Sequence, residues 1–277
     1  MQLASRRQSG RGSGHPAPRS KSCDTAGVKE ADVELGEWIR PQLTGQWGTV
    51  AAISPAGYLN YVRIFHPAAS DPTDQLYSWS HVATVTHRTM HPQAQWQQIA
   101  GDSDSERWPH KSPVIGRLHH SLTRTVFAVL ATKTTPPTEV YFGVWEGTGW
   151  AMHDDLTRPL DVGNELDQRI ARLAQGPKLT HPGRSYVLLR GTPNDADAVG
   201  AYLGDTTISA HLAWPTDRAW CISTDVDYDS TILACDHDTA ETILTHPDIE
   251  ALPIPHTGRL DINADHINPP RSTTFPS

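Results

Sequence analysis

The stretch WPTDRAWCISTDVDYDSTIL, Trp214 to Leu233, places Asp225, Asp227 and Asp229 on every second residue. Carboxylates this close are the material of a calcium or magnesium site. If a calcium loop began at Asp225, acidic residues would stand at its first, third and fifth places. Such a loop requires glycine at the sixth place, for the sharp turn, and normally a bidentate glutamate at the twelfth. Ser230 and Asp236 occupy those places. The entering residues RAWCIST are rich in β-branched and aromatic types, which favours a strand over the helix a calcium loop needs. Alternation along a strand then puts Asp225, Asp227 and Asp229 on a wet face with Ser223 and Thr231. Trp220, Ile222, Val226 and Tyr228 lie opposite. Metal binding by the three aspartates is the competing reading of the same spacing.

Arginine is the second candidate chemistry. Arg63, Arg184, Arg190 and Arg218 fall in or beside strand-like segments. A buried guanidinium needs a carboxylate partner, and Glu146, Asp217 and Asp225 are available. The alternative is an anion pocket, because the planar fork of arginine reads phosphate and carboxylate bidentately. Histidine is abundant, with 15 copies, yet four of those in the body (His66, His91, His181 and His246) precede proline. That position pushes the backbone out of the helical region, so these residues mark corners. His87 and His91 have helical ligand spacing, but Pro92 interrupts the helix they would share. No catalytic residue is assigned from sequence. The phosphate-loop, dinucleotide, nucleophile-elbow and zinc-protease signatures are all absent, and no cofactor is expected.

The elements that must position these groups follow from periodicity. WGTVAAI (Trp47 to Ile53) and GYLNYVRIF (Gly57 to Phe65) predict a hairpin across the turn SPAG, the second strand central because both its faces are apolar. Two short helices are expected around WSHVA and QAQW, broken at His91-Pro92. Ser112-Pro113 predicts the start of a helix whose stripe is Ile115, Leu118, Leu122, Val126 and Val129, ended by the TTPP segment. EVYFGVWEG and RSYVLLRG read as strands, with NELDQRIARLAQ between them as a helix stopped by Gly176. Another short helix opens at Thr192-Pro193. The strands TISAHLAW, RAWCISTDVDY and TILAC follow, then a helix capped by Asp238. Strands and helices mix without regular alternation. The expected fold is therefore α+β, a mixed or mainly antiparallel sheet with helices packed on it.

The N-terminal 35 residues are rich in Ser, Gly, Arg and Pro, and are expected to form a disordered basic tail. Arg6-Arg7 lacks the apolar stretch that a twin-arginine export signal requires behind it. Residues 36–260 are read as one α+β domain with room for two lobes, and residues 261–277 as a flexible tail. The net charge of −8 argues against a nucleic-acid partner. No apolar run is long enough to span a membrane. Cys23, Cys221 and Cys235 make an odd number with no C-x-x-C pair, which favours reduced thiols and a cytoplasmic location.

Six segments, GYLNYVRIFHPA, WSHVA with HPQAQW, TTPPTEVYFGVWEGTG, HPGRSYVLLRG, WPTDRAWCISTDVDYDSTIL and HPDIEALPI, together resemble a family of uncharacterised actinobacterial proteins. The resemblance spans roughly Gly57 to Ile254. It implies one folding unit and no activity. Three functions fit the residues: a non-catalytic interaction or regulatory module, including the immunity kind, with another protein as partner; a hydrolase or phosphoesterase with a dispersed His/Asp/Arg site; and a calcium-binding protein using Asp225, Asp227 and Asp229. The first is favoured by the missing catalytic signatures, the acidic balance and the excess of tryptophan over phenylalanine, nine to four.

Overall fold

The structure is a computed structural model, and it describes residues 27–70, 73, 75–101, 108–136, 138–151 and 164–268. In chain order the elements are β1 (Lys29–Glu30), α1 (Val50–Ile53), β2 (Asn60–Phe65), β3 (Ala68–Ala69), β4 (Leu76–Tyr77), α2 (Trp79–Val85), α3 (Trp96–Ile99), α4 (His120–Ala131), β5 (Val140–Trp145), α5 (Glu165–Gln175), β6 (Leu179–His181), β7 (Arg184–Gly191), α6 (Ala198–Tyr202), β8 (Leu212–Pro215), β9 (Cys221–Ser223), β10 (Ser230–Cys235), α7 (His237–Leu244) and β11 (Ala251–Pro253). Nine strands form one sheet in the order β1-β7-β5-β8-β9-β10-β2-β11, with β6 also on β7. Every pairing in it is antiparallel. The fold is α+β, and β2 lies inside the sheet between β10 and β11, as its two apolar faces require.

Alternation along the strands divides the core. Val62, Ile64, Phe142, Val187, Ile222 and Leu233 face a helical layer made by α4, α5, α6 and α7. Those helices present stripes such as Leu122, Val126 and Leu130 on α4, spaced three or four apart. The other face carries Tyr61, Tyr186, Leu188, Leu212, Trp214 and Ile232. It is covered by Ile39, Val50 and Ile53 from the N-terminal segment and by Ile254 and Leu260 from the C-terminal one. A third cluster joins Phe65 to Trp79, Val82, Trp96, Ile99 and Trp108 around α2 and α3.

Several elements differ from the sequence expectation. Trp47 to Ile53 is not a strand, so the first hairpin is absent. Gly48 adopts φ +92°, and one helical turn follows whose Val50 and Ala51 amides donate to Gly258 O and His256 O at 2.9 Å. The helix expected from Ser112-Pro113 begins instead at His120. Gly116 (φ +79°) breaks the segment ahead of it, and a side chain there would press on Val226 Cα at 3.0 Å. Asp236, not Asp238, caps α7, accepting from Thr239 N at 2.8 Å.

Parts of both expected tails belong to the fold. Residues 1–26 and 269–277 lie outside the described residues, but residues 27–35 belong to the fold. Lys29 and Glu30 pair with Arg190 and Leu189, and Val28 is buried in the helix-side core. At the other end Asp265 accepts from His91 Nε2 at 2.9 Å and from the Asn268 amide at 2.9 Å, fastening residues 261–268 to the loop before α3.

Trp220 and Ile222 are buried on the helical side as expected, but Tyr228 packs in the opposite cluster. Trp220 is 0% exposed and meets Phe127 edge-on at 5.8 Å. Emptying such a site costs ~3–5 kcal/mol. The buried indole N–H has no acceptor among the described residues, so its removal offsets part of the loss. Trp220→Ala is expected to cost about 3 kcal/mol, at the low end of that range, in urea unfolding. A loss under about 1 kcal/mol would place the side chain outside the core.

Candidate functional site

On the sheet face away from the long helices, polar side chains from β6, β7, the entry of β8 and the end of β9 gather in one place. There the short β6–β7 hairpin, turned by Pro182 and Gly183 (φ +72°), sets His181 directly opposite Arg184. His211 lies at the entry of β8, and its amide donates to Gly143 O at 2.8 Å. Ser223 ends β9, paired with Leu212. His181, Arg184, His211, Ser223 and Asp225 line one cavity of ≈ 10 Å³, roofed by Leu43, Trp47 and Ile53. That is room for about one water.

Asp225, Asp227 and Asp229 are not on a strand. Strand β9 stops at Ser223, and the Asp225 carboxylate accepts from Asp227 N at 3.0 Å while its carbonyl accepts from Tyr228 N at 3.1 Å. An aspartate that bonds its own backbone two residues on starts a turn without glycine or proline. The turn divides the three carboxylates between two arginines. Arg184 holds Asp225 through Nε and Nη2 at 3.2 and 3.0 Å, and Asp227 through Nη2 at 2.7 Å. Asp229 faces Arg63 at 3.4 Å. Among the described residues no group of three or more His, Cys, Asp or Glu side chains is arranged to hold a metal ion.

The four arginines do not converge on one anion pocket. Arg63 is buried, and donates to Ser230 Oγ at 2.9 Å, Pro92 O at 3.0 Å and Ala94 O at 2.9 Å as well as to Asp229. Arg190 pairs with Glu139 at 3.1 Å on the surface. Arg218 lies over the Trp38 ring at 4.6 Å, with φ +54°. Arg184 is sandwiched, its guanidinium 4.9 Å from the Trp47 ring and 5.1 Å from the Trp145 ring. Burial alone would lower its pKa, but Asp225 and Asp227 outweigh that and raise it.

Burial sets the charge of the other groups. It pushes His181 down to about 4, helped by Arg40, and His211 down to about 4, helped by Arg184. Both are neutral at pH 7. His211 Nδ1 accepts from the Trp145 amide at 3.2 Å, which puts its proton on Nε2. His181 Nε2 is buried with no hydrogen-bond partner among the described residues. Burial pushes the Cys221 thiol up to about 12, so it is no activated nucleophile.

The outer edge of the cluster is open. Trp47 is 53% exposed and stacks on Tyr228 with ring centroids 6.2 Å apart. The Asp227 side chain is 57% exposed. Sequence reasoning singled out Arg184, Asp225 and Asp227 but missed Trp47, and it read His181 only as a corner. The signal was the segment HPGR, a two-residue turn between strands that brings a histidine against an arginine. Among the described residues no helix is long and apolar enough to cross a membrane. No protein family, no curated protein and no solved structure matches the chain.

Proposed function

We propose that the protein is a non-catalytic cytoplasmic recognition module, of the regulatory or immunity kind, that binds a cationic segment of a partner protein at Trp47 and Asp227. The observation that carries this reading is the locked Arg184. Its charge is spent on two aspartates and its faces on two tryptophans. It pre-orders Trp47 and Asp227 at the surface at little entropic cost to a partner. Two carboxylates share the one guanidinium, so a net negative charge remains beside the exposed indole, which suits a further guanidinium or ammonium through ion pairing and cation–π contact. The chain's net charge of −8 adds steering for a basic partner. The two described cysteines, Cys221 and Cys235, are buried free thiols, in keeping with a reducing compartment.

Titration of the full chain with a polyarginine peptide, followed by tryptophan fluorescence, tests the proposal. Trp47→Ala and Asp227→Asn are each expected to weaken binding at least about tenfold, the effect of losing an interface anchor. Equal binding by both variants would reduce the interaction to general charge attraction and overturn the reading. A hydrolytic site is the second reading. It is favoured by the unpartnered His181 Nε2 in one cavity with Ser223 and Asp225, but it needs the roof of Leu43, Trp47 and Ile53 to lift before a substrate fits. Ester turnover lost in Ser223→Ala would move the site to that reading.

A further inference from the structure

A second concavity lies on the helical side of the sheet, independent of the Trp47 surface. It has a volume of ≈ 440 Å³ and lies between the start of α4 and the loop after α6, with Arg117, His119, His120 and Arg124 along its wall. In a chain of net charge −8 this gathering of cationic types is not what composition alone would place together. A single carboxylate, Asp197, is among the lining residues.

Both arginines are held by residues flanking α6. Arg117 Nη1 donates to Thr207 O, and Arg124 Nε donates to Asp197. Each is thereby oriented while most of its N–H groups remain for another acceptor, since a guanidinium carries five. His120 and Arg124 are four apart on α4 and share its face. His119 Nδ1 accepts from Ser121 N at 3.4 Å, which puts the imidazole proton on Nε2. The start of this 12-residue helix, the positive end of its dipole, borders the concavity.

A separate observation points to a missing acceptor. Ser209 Oγ is buried with no hydrogen-bond partner among the described residues, and Ser209 stands between this concavity and a smaller one of ≈ 10 Å³ beneath it. An unpaired hydroxyl has a desolvation cost, which turning the side chain toward a bound oxyanion would relieve.

We infer that this concavity binds a phosphorylated small molecule, with the phosphate between Arg117 and Arg124 and the rest of the ligand against Ser209 and the threonine hydroxyls. Forked arginines match phosphate oxygens in pairs. The volume lies in the range of small-molecule sites, about 300–1,000 Å³, and exceeds what an inorganic anion alone would fill.

The test is calorimetric titration of the full chain with ribose 5-phosphate, inorganic phosphate and ribose. Ribose 5-phosphate is expected to bind with a dissociation constant below about 1 mM, inorganic phosphate more weakly, and ribose not at all. Arg124→Gln alters an exposed side chain and is expected to weaken ribose 5-phosphate binding at least tenfold while leaving the thermal midpoint in place. Arg117→Gln should do the same. If Arg117→Gln fails to fold, the Arg124→Gln result decides. Absence of binding by either phosphate at about 10 mM, or binding that Arg124→Gln leaves unchanged, overturns the inference. Equal affinity for phosphate and ribose 5-phosphate would overturn the small-molecule part and leave a simple anion site.

Discussion

Lowering the pH from 7.5 to 5 is expected to remove most of the protein's stability, because three buried histidines stay neutral in the fold. Burial pushes His66, His181 and His211 each from the ordinary value of 6.5 to about 4. His66 is further lowered by Arg63, while its bond to Val114 O opposes the shift. Each folded-state pKa lies below its unfolded value, so between pH 6.5 and 4 the unfolded chain binds protons that the folded chain does not. Stability therefore falls as pH drops through that window and is complete above it. By pH 5 each histidine has lost about 2 kcal/mol, at 1.36 kcal/mol per unit. Three such losses make about 6 kcal/mol, comparable with the ~5–15 kcal/mol that holds a typical domain folded. Urea midpoints at pH 7.5, 6, 5.5 and 5 measure the fall. His181→Phe should make the dependence shallower, since it removes one titrating group whose Nε2 has no hydrogen bond to lose among the described residues. A midpoint that stays flat from pH 7.5 to 5 would mean the three rings are not buried neutral groups.

That acid sensitivity was only partly foreseeable in the residues. Strands β5 and β7 and helix α5 follow from local patterns, since each is a run of one period bounded by glycine or proline. Trp47 to Ile53 misled because Val, Ala and Ile in sequence suit either a strand or a buried helical turn. What decided it was Gly258 O and His256 O, some two hundred residues away, accepting the amides of Val50 and Ala51. The aspartates misled for a different reason. Alternation is a property of a strand, and nothing in the spacing records where the strand ends. The turn is made by the Asp225 side chain itself, without the glycine or proline that would have announced it. His181 and His211 converge only because β7, β5, β8 and β9 are neighbours, a pairing order that no segment carries alone. Arg63 was visible as a charge in an apolar strand, and with it the need for a carboxylate. Crowded carboxylates at Asp225, Asp227 and Asp229 call for Arg or Lys on a neighbouring strand, but that Asp229 in particular meets Arg63 was not visible, because spacing alone does not choose among the available carboxylates.

Replacing Arg63 with methionine should be the most damaging single change among the charged residues. The side chain is 0% exposed, and the four groups it satisfies come from two stretches of the chain: Pro92 O and Ala94 O before α3, and the 20%-exposed Asp229 with the adjoining Ser230 Oγ at the start of β10. The guanidinium also lies over the Phe65 ring at 4.7 Å and 5.6 Å from the Trp79 ring. It thus ties the α2–α3 cluster to the sheet. Its own charge is held at a cost, since burial lowers its pKa against the pull of Asp229. Asp229 in turn is raised by burial despite Arg63. Methionine fills much of the volume but donates nothing, so two carbonyls and a carboxylate lose their donor together. Breaking one side of a buried pair costs ~3–5 kcal/mol, and the stranded carbonyls put Arg63→Met at about 5 kcal/mol. Asp229→Asn keeps an acceptor for the arginine and should cost about 2 kcal/mol, with most of that from the lost ionic character of the bond. The double variant should cost clearly less than the two singles added, because without Arg63 the neutral amide is the better side chain at this half-buried position. Urea unfolding of the four proteins closes the cycle. Strict additivity would show that the two groups do not interact, and would leave the tie between the sheet and the loop before α3 to the arginine's bonds with Pro92 O and Ala94 O.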